Sequence, residues 1–304
     1  MNVLVTGGTG DLGHVLLPKL AAAGHQVRSA SRRPPRAPYG PDSPDTSDRP
    51  GITWQRLDLT TGEGLDHALR GTEVVIHAAS SPFHKLKATD LDGSRRLLER
   101  ARAAGVKHAI FVSIVGIERV PFVYYRTKVR VEQLFEQSGV PHSILRAAQF
   151  PTLFERVLRP LSRSPVLLLP LDFRFQPIDT DLVADRLVRA VAEGPRGRLP
   201  DLAGPEVLTV AEIARAWLSA QDLRRLVLPL PLFGQVAAAF RAGAVTNPAA
   251  ATPGPTYHEW LRRTYGRRPE RTPPSREWPG AGAPVGEAAD SASGAPAVAP
   301  GRRT

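Results

Sequence analysis

Residues 1–13 read MNVLVTGGTGDLG, Met1 to Gly13. A short apolar run, Val3 to Val5, enters a turn spaced Gly7-x-x-Gly10-x-x-Gly13, and His14 to Ala23 then reads as a helix. Each glycine has a physical task in such a turn. Gly7 takes the sharp bend out of the strand, Gly10 lets a pyrophosphate approach the backbone, and Gly13 lets the helix sit close to the sheet. The free amides of the first helical turn, with their partial positive charge, then face the phosphates. Thr6, Gly7, Gly10, Asp11, Leu12 and Gly13 are therefore the expected phosphate cradle. The strand before the glycines and the helix after them supply the context this motif requires.

Working outward, Gly24 closes the first helix and Gln26 to Ser31 reads as the second strand. Pro18 falls inside the helix, where it removes a backbone bond to His14 and predicts a local kink. Ile52 to Leu57, Glu73 to His77, Ala109 to Ser113 and Ser143 to Leu145 read as further strands. Helical patterns over Leu65 to Arg70, Asp92 to Ala104 and Tyr125 to Ser138 separate them. This alternation predicts an α/β fold with a doubly wound parallel sheet of Rossmann type over residues 1–150. Beyond Phe150 the alternation fades into helical stretches at Phe154 to Leu161, Leu182 to Glu193 and Val210 to Ser219. Residues 151–265 are expected to form a smaller, mainly helical capping region that carries the substrate pocket. Pro34 to Gly51 reads as a mobile surface loop, and residues 266–304, rich in Pro, Gly, Ala and Ser, as a disordered tail.

The chain of 304 residues has no cysteine, which excludes disulfides, thiolate metal sites and cysteine nucleophiles. Its histidines lack metal-ligand spacing. The formal charge of +11 comes mostly from scattered arginines, without a helix-turn-helix or zinc-finger pattern, so no nucleic-acid partner is expected. The apolar runs Val166 to Leu171 and Leu226 to Phe240 are too short or too broken to span a bilayer, and the apolar N-terminus is already strand one. A soluble, cytoplasmic protein is expected, with no membrane partner; its oligomeric state is not legible.

Two further constellations carry chemistry. Tyr124 and Lys128 are four residues apart, so they share a helix face once the helix has begun. An ammonium near a phenol favours the phenolate, which suits Tyr124 to exchange a proton with a substrate oxygen. Ser113, ending the fifth strand, can hold the same oxygen, and Lys128 can also bond a cofactor ribose. At the end of the second strand stand Ser31, Arg32 and Arg33, with no acidic residue to bond a ribose diol. Guanidinium forks fit a 2′-phosphate, so NADP(H) is favoured over NAD(H).

Together Thr6 to Gly13, Asp58-Leu59, His77-Ala78-Ala79-Ser80, and Ser113 with Tyr124-x-x-x-Lys128 resemble the short-chain dehydrogenase/reductase superfamily, closest to its atypical, NmrA-like branch. The wording at 113–117, 121–128 and 143–150 adds to the resemblance, which covers Met1 to about Trp260. It implies that Asp58 and Leu59 contact adenine, that His77, Ala78 and Ala79 line the cofactor cleft with Ser80, and that Ala148, within Ala147 to Phe150, lies near nicotinamide. One departure stands out: Asp90 occupies a position where related sequences often carry asparagine. The reading favoured is an NADP-dependent oxidoreductase reducing a carbonyl or conjugated carbonyl of a small molecule, with Tyr124, Lys128 and Ser113 as catalytic residues. A non-catalytic dinucleotide sensor and an NAD-dependent sugar-nucleotide epimerase are the alternatives.

Overall fold

The structure, a computed structural model, describes residues 1–33, 51–80 and 87–266. The loop expected over 34–51 and the tail expected over 266–304 lie outside the described residues except at Gly51 and Gly266.

The first half alternates as the sequence predicts. β1 (Asn2–Thr6), α1 (Asp11–Ala22), β2 (Gln26–Ser31), β3 (Ile52–Arg56), α2 (Leu65–Leu69) and β4 (Val74–His77) lead to a π-helical turn over Lys87–Asp92. That turn runs directly into α3 (Gly93–Ala103), followed by β5 (His108–Ile114), α4 (Val123–Gln137) and β6 (His142–Ala147). The second half holds α5 (Pro151–Leu161), β7 (Val166–Leu169), β8 (Arg174–Phe175), α6 (Thr180–Glu193), β9 (Gly197–Arg198) and β10 (Leu208–Thr209). It ends with α7 (Val210–Ala220), β11 (Leu226–Pro229), α8 (Gln235–Arg241) and α9 (Tyr257–Tyr265).

Among the described residues the main sheet is seven-stranded and parallel, ordered β3-β2-β1-β4-β5-β6-β9. The order reverses between β1 and β4, so the carboxyl ends of those strands open a crevice, the place where ligands bind in such sheets. Strand alternation divides β1 between two cores. Val3 and Val5 pack with Leu16, Leu17 and Leu20 of α1 and with Val183, Leu187 and Val191 of α6. Leu4 packs on the other face with Leu69, Leu97, Leu98 and Phe135. One strand and one helix from beyond residue 150 belong to the main sheet and its layers. α6 covers the same face as α1 and β9 extends the sheet, while α5, β7, α7 and α9 build a separate core around Trp217, Tyr257 and Trp260.

The start of α6 illustrates the local code. Asp179 is its N-cap, its carboxylate accepting the Asp181 amide at 3.1 Å, as the sequence suggests for this pair. Asp181 itself lies in the first turn and pairs with Lys19 of α1 at 3.2 Å. α4 starts at Val123, two residues before the sequence predicts, so Tyr124 and Lys128 both lie within it. A buried ion pair locks this helix to the sheet. Arg146 of β6 donates from Nε and Nη2 to the two carboxylate oxygens of Glu132, at 2.7 and 2.6 Å, and from Nη1 to Glu118 at 2.6 Å.

Replacing Glu132 with alanine leaves a buried guanidinium with half-exposed Glu118 as its remaining acidic partner. Denaturant unfolding of Glu132→Ala should show a loss of about 3 kcal/mol; a loss under about 1 kcal/mol would mean that α4 is held by its apolar face alone.

Candidate active site

The glycine turn is shaped as its spacing requires. Gly7 has φ +80°, a conformation that disfavours a side chain, and its Cβ position lies 2.7 Å from the Ala79 amide nitrogen. A Cβ on Gly13 would come within 2.3 Å of the Gly8 backbone, so Gly13 closes the turn on itself as well as opening the helix. At Gly10 a Cβ would approach only the Gly7 carbonyl, at 3.2 Å. Gly10 is also the N-cap of α1 and offers its first amides no side-chain acceptor. An uncapped helix N-terminus beside a glycine without close neighbours fits a dinucleotide pyrophosphate.

Around this turn the expected cofactor residues divide into open and committed groups. The Leu12 side chain is core. Asp11 turns toward α5, where its carboxylate accepts from the Thr152 hydroxyl at 2.7 Å and pairs with Arg156 at 2.8 Å. That cation compensates an acidic charge which would otherwise oppose phosphates at the same helix end. Thr6 and His77 are also committed. The His77 ring bridges the Thr6 hydroxyl at 2.7 Å and the Ser94 hydroxyl at 2.9 Å, stacked beside Phe111 and Phe135. Burial, with Lys128 nearby, holds its pKa down to about 3, so the imidazole is a neutral strut. What it lends the cleft is rigidity beneath Ala78 and Ala79, which abut Gly7. Ala148 is buried, its amide bonded to the Leu202 carbonyl.

At the far end of the crevice, Ser31 donates to the Arg33 carbonyl at 2.6 Å and accepts from the Trp54 indole at 2.9 Å. Its hydroxyl therefore fixes the bend after β2, and Arg32 and Arg33 are exposed just beyond it. Asp58 is anchored by the Thr60 amide and hydroxyl, at 2.8 and 2.6 Å. Burial opposes its ionisation, but those hydrogen bonds, with Arg32 nearby, hold its carboxyl below the ordinary range. Arg32 and Asp58 thus belong to one edge of the crevice, with buried Leu59 following. Trp54 carries no motif, and nothing in the sequence marks its contact with Ser31.

Ser113 is carried by β5, and Tyr124 and Lys128 by α4, which packs against the π turn. Ser113 is buried and its hydroxyl has no hydrogen-bond partner among the described residues. A buried, unpaired hydroxyl is costly, and a substrate oxygen would satisfy it. Lys128, also buried, has its ammonium 5.0 Å from the Phe111 ring centre and 5.7 Å from that of Tyr124. The Tyr124 hydroxyl lies 3.0 Å from the Ser80 hydroxyl. The neighbouring Tyr125 takes no such place: its ring packs toward Phe240, and burial, with Tyr124 adding to it, pushes its phenol pKa up. The cap reaches the site through this contact, since Tyr125, Ile117 and Val120 share a core with Ala244 and Val245.

Residues 7–157 match the NAD(P)H-binding family, and this part of the chain belongs to it, as an NAD(P)-binding domain of the atypical short-chain dehydrogenase/reductase, NmrA-like kind. Over 199 residues the chain is 29% identical to the photosystem II assembly factor Ycf39 of Trieres chinensis, covering 63% of this chain and 60% of that protein. Over 221 residues it is 29% identical to a (4-alkanoyl-5-oxo-2,5-dihydrofuran-3-yl)methyl phosphate reductase of Streptomyces griseus, covering 69% and 70%. The NADPH-dependent quinone oxidoreductase of Escherichia coli, complexed with NADPH, shares the fold at a TM-score of 0.69 and 19% identity, over 86% of this chain and 99% of that one. Among the described residues no helix is long and apolar enough to cross a membrane.

The neutral state of His77 has a pH signature. An unfolded chain protonates this histidine near 6.5, the folded one near 3, so between those values the unfolded state binds the extra proton. Folding stability is intact above about 6.5 and falls as pH drops through that window, with His108, held down to about 4 by burial, contributing in the same direction. NMR of the folded protein should show an uncharged His77 ring at pH 5. A His77 resonance titrating near 6.5 would contradict the buried strut.

Proposed function

We propose that the protein is an NADP(H)-dependent oxidoreductase that reduces a carbonyl or conjugated carbonyl of a small molecule. The observation that carries this reading is a buried Ser113 hydroxyl, without a partner among the described residues, near the carboxyl end of β5, with Tyr124 and Lys128 on the helix α4 that follows. A protein that only binds a dinucleotide has no need of a proton donor there. The reductase and quinone oxidoreductase among its relatives support the same reading.

The bound nicotinamide supplies the hydride. The protein's own residues do the rest. Ser113 orients the substrate oxygen, and Tyr124 gives it a proton as charge develops on it. Lys128 would steady the phenolate left behind and bond the cofactor ribose. Ala78, Ala79 and Ala148 would line the cleft without charged groups, and the amides that follow Gly10 would hold the pyrophosphate. Arg32 and Arg33 favour a 2′-phosphate over a ribose diol, which selects NADP(H).

Two variants test these roles. Tyr124→Phe should leave NADPH affinity within about twofold and cut turnover by about 100-fold or more, the range for general acid catalysis; turnover equal to wild type would remove Tyr124 from the chemistry. Arg32→Ala combined with Arg33→Ala should weaken NADPH binding at least about tenfold more than NADH binding. Equal losses for the two would refute the 2′-phosphate role.

A further inference from the structure

Away from the crevice, β7 and β11 form a two-stranded parallel pair over the core around Trp217. Leu226 pairs with Val166 and Leu228 with Leu168, and in a parallel pair such partners point to the same face. All four side chains on that face are exposed, Leu168 to 53% and Leu226 to 57%. The opposite face is ordinary core, where Leu167 and Leu169 are buried and Val227 packs against the same cluster. Beyond β11 the chain stays apolar and exposed at Leu230, Leu232 and Phe233, the last to 87%. Single exposed leucines are normal, but a contiguous apolar face marks an interaction surface.

The residues bordering this face say what it meets. Because the strands are parallel, their starts lie at one end, and arginines precede each: Arg163 before β7, Arg224 and Arg225 before β11. Arg215 of α7 joins Arg224 and Arg225 in lining an open groove of about 730 Å³, whose apolar wall includes Leu218, Leu223 and Leu226. Leu226 thus belongs to both the groove and the exposed face. Among the described residues none of these four arginines forms a salt bridge. Arg225 donates to the Ser162 and Arg224 carbonyls, at 2.8 and 2.9 Å. Glu212, in the capping box of α7, feels the charge of Arg215, and Asp222 is not among the residues that line the groove.

Guanidiniums without carboxylate partners, set beside exposed leucines, suit a partner that is anionic and apolar together. A second copy of this chain, at a formal charge of +11, offers a like-charged face instead. We propose that this face docks on an anionic phospholipid bilayer. The arginines meet headgroup phosphates, while the leucines and Phe233 enter the boundary between headgroups and acyl chains. Such docking needs no spanning helix. It uses elements other than those that carry Ser113 and Tyr124, so it stands or falls apart from the reductase reading.

The test is cosedimentation of the full chain with phosphatidylcholine vesicles, with and without phosphatidylglycerol. The chain should pellet with the anionic vesicles and be released as salt is raised. Leu168→Ser combined with Phe233→Ser, both at exposed positions, should lower the partition coefficient about tenfold or more. Arg215→Ala combined with Arg224→Ala should lower it about tenfold on anionic vesicles. Arg95→Ala combined with Arg130→Ala removes the same charge from exposed positions on α3 and α4, and should lower it less than about threefold. A chain that stays in the supernatant with anionic vesicles at low salt would overturn the proposal. Equal losses for the two arginine pairs would do so too, since net charge alone would then explain the binding. Release by glycerol phosphate, with the Leu168 and Phe233 pair of changes having no effect, would give the groove to a soluble phosphate ester instead. A dimer in solution that this pair of changes dissociates would give the face to a second copy, and would likewise overturn it.

Discussion

The backbones of Gly8 and Gly13 lie so close that a Cβ at position 13 would fall 2.3 Å from its neighbour. Much of the site depends on that contact. It lets α1 begin immediately after the turn, with Gly10 as a bare N-cap, and lets α1 lie on β1 so that Leu16, Leu17 and Leu20 reach the sheet core. A bulkier turn would push the helix off the sheet and its first amides away from the crevice. The same tight path brings Gly7 against Ala79, which joins the phosphate end to the strand leading to Ser80. Backbone sterics at four glycines thus set the distance between the two ends of a cofactor site.

Around α4 the constraint is electrostatic. α4 carries Tyr124 and Lys128, and its placement is over-determined by the Glu132–Arg146 pair on one side and the Phe135 core contacts on the other. Once the helix is fixed, burial of Lys128 requires a partner, because a buried ammonium alone is costly. Asp90 supplies it from the π turn. Its carboxylate also accepts the Ser80 hydroxyl, which lies 3.0 Å from that of Tyr124, so one carboxylate ties the π turn to both α4 and the end of β4.

The sequence makes the local rules legible. The glycine spacing, the strand–helix alternation and the four-residue separation of Tyr124 and Lys128 all depend on neighbours along the chain, and each has its counterpart in the structure. Long-range pairing is not legible in the same way. Asp11 looks like part of a phosphate cradle, yet its carboxylate is held by Thr152 and Arg156, residues more than 140 positions later. The fading alternation after Phe150 suggests a cap, but α6 returns to the main sheet, where Val183, Leu187 and Val191 pack with α1 and β1, and β9 pairs with β6. Asp90 is visible in the sequence only as a departure from the pattern that the family resemblance implies. Its meaning depends on a π turn that helical periodicity does not announce, since the pattern over Asp92 to Ala104 reads as a helix with nothing unusual before it.

The central claim is that the crevice binds a reduced dinucleotide in order to react it. The most direct measurement mixes the protein with NADPH deuterated at the transferring carbon and a panel of aldehydes, ketones and conjugated enones, following both NADPH consumption and the label. The account predicts consumption with at least one acceptor and deuterium bound to the reduced carbon of the product. Saturable NADPH binding with no consumption and no label transfer across the panel would contradict it, and would make the protein a binder of the dinucleotide rather than its user.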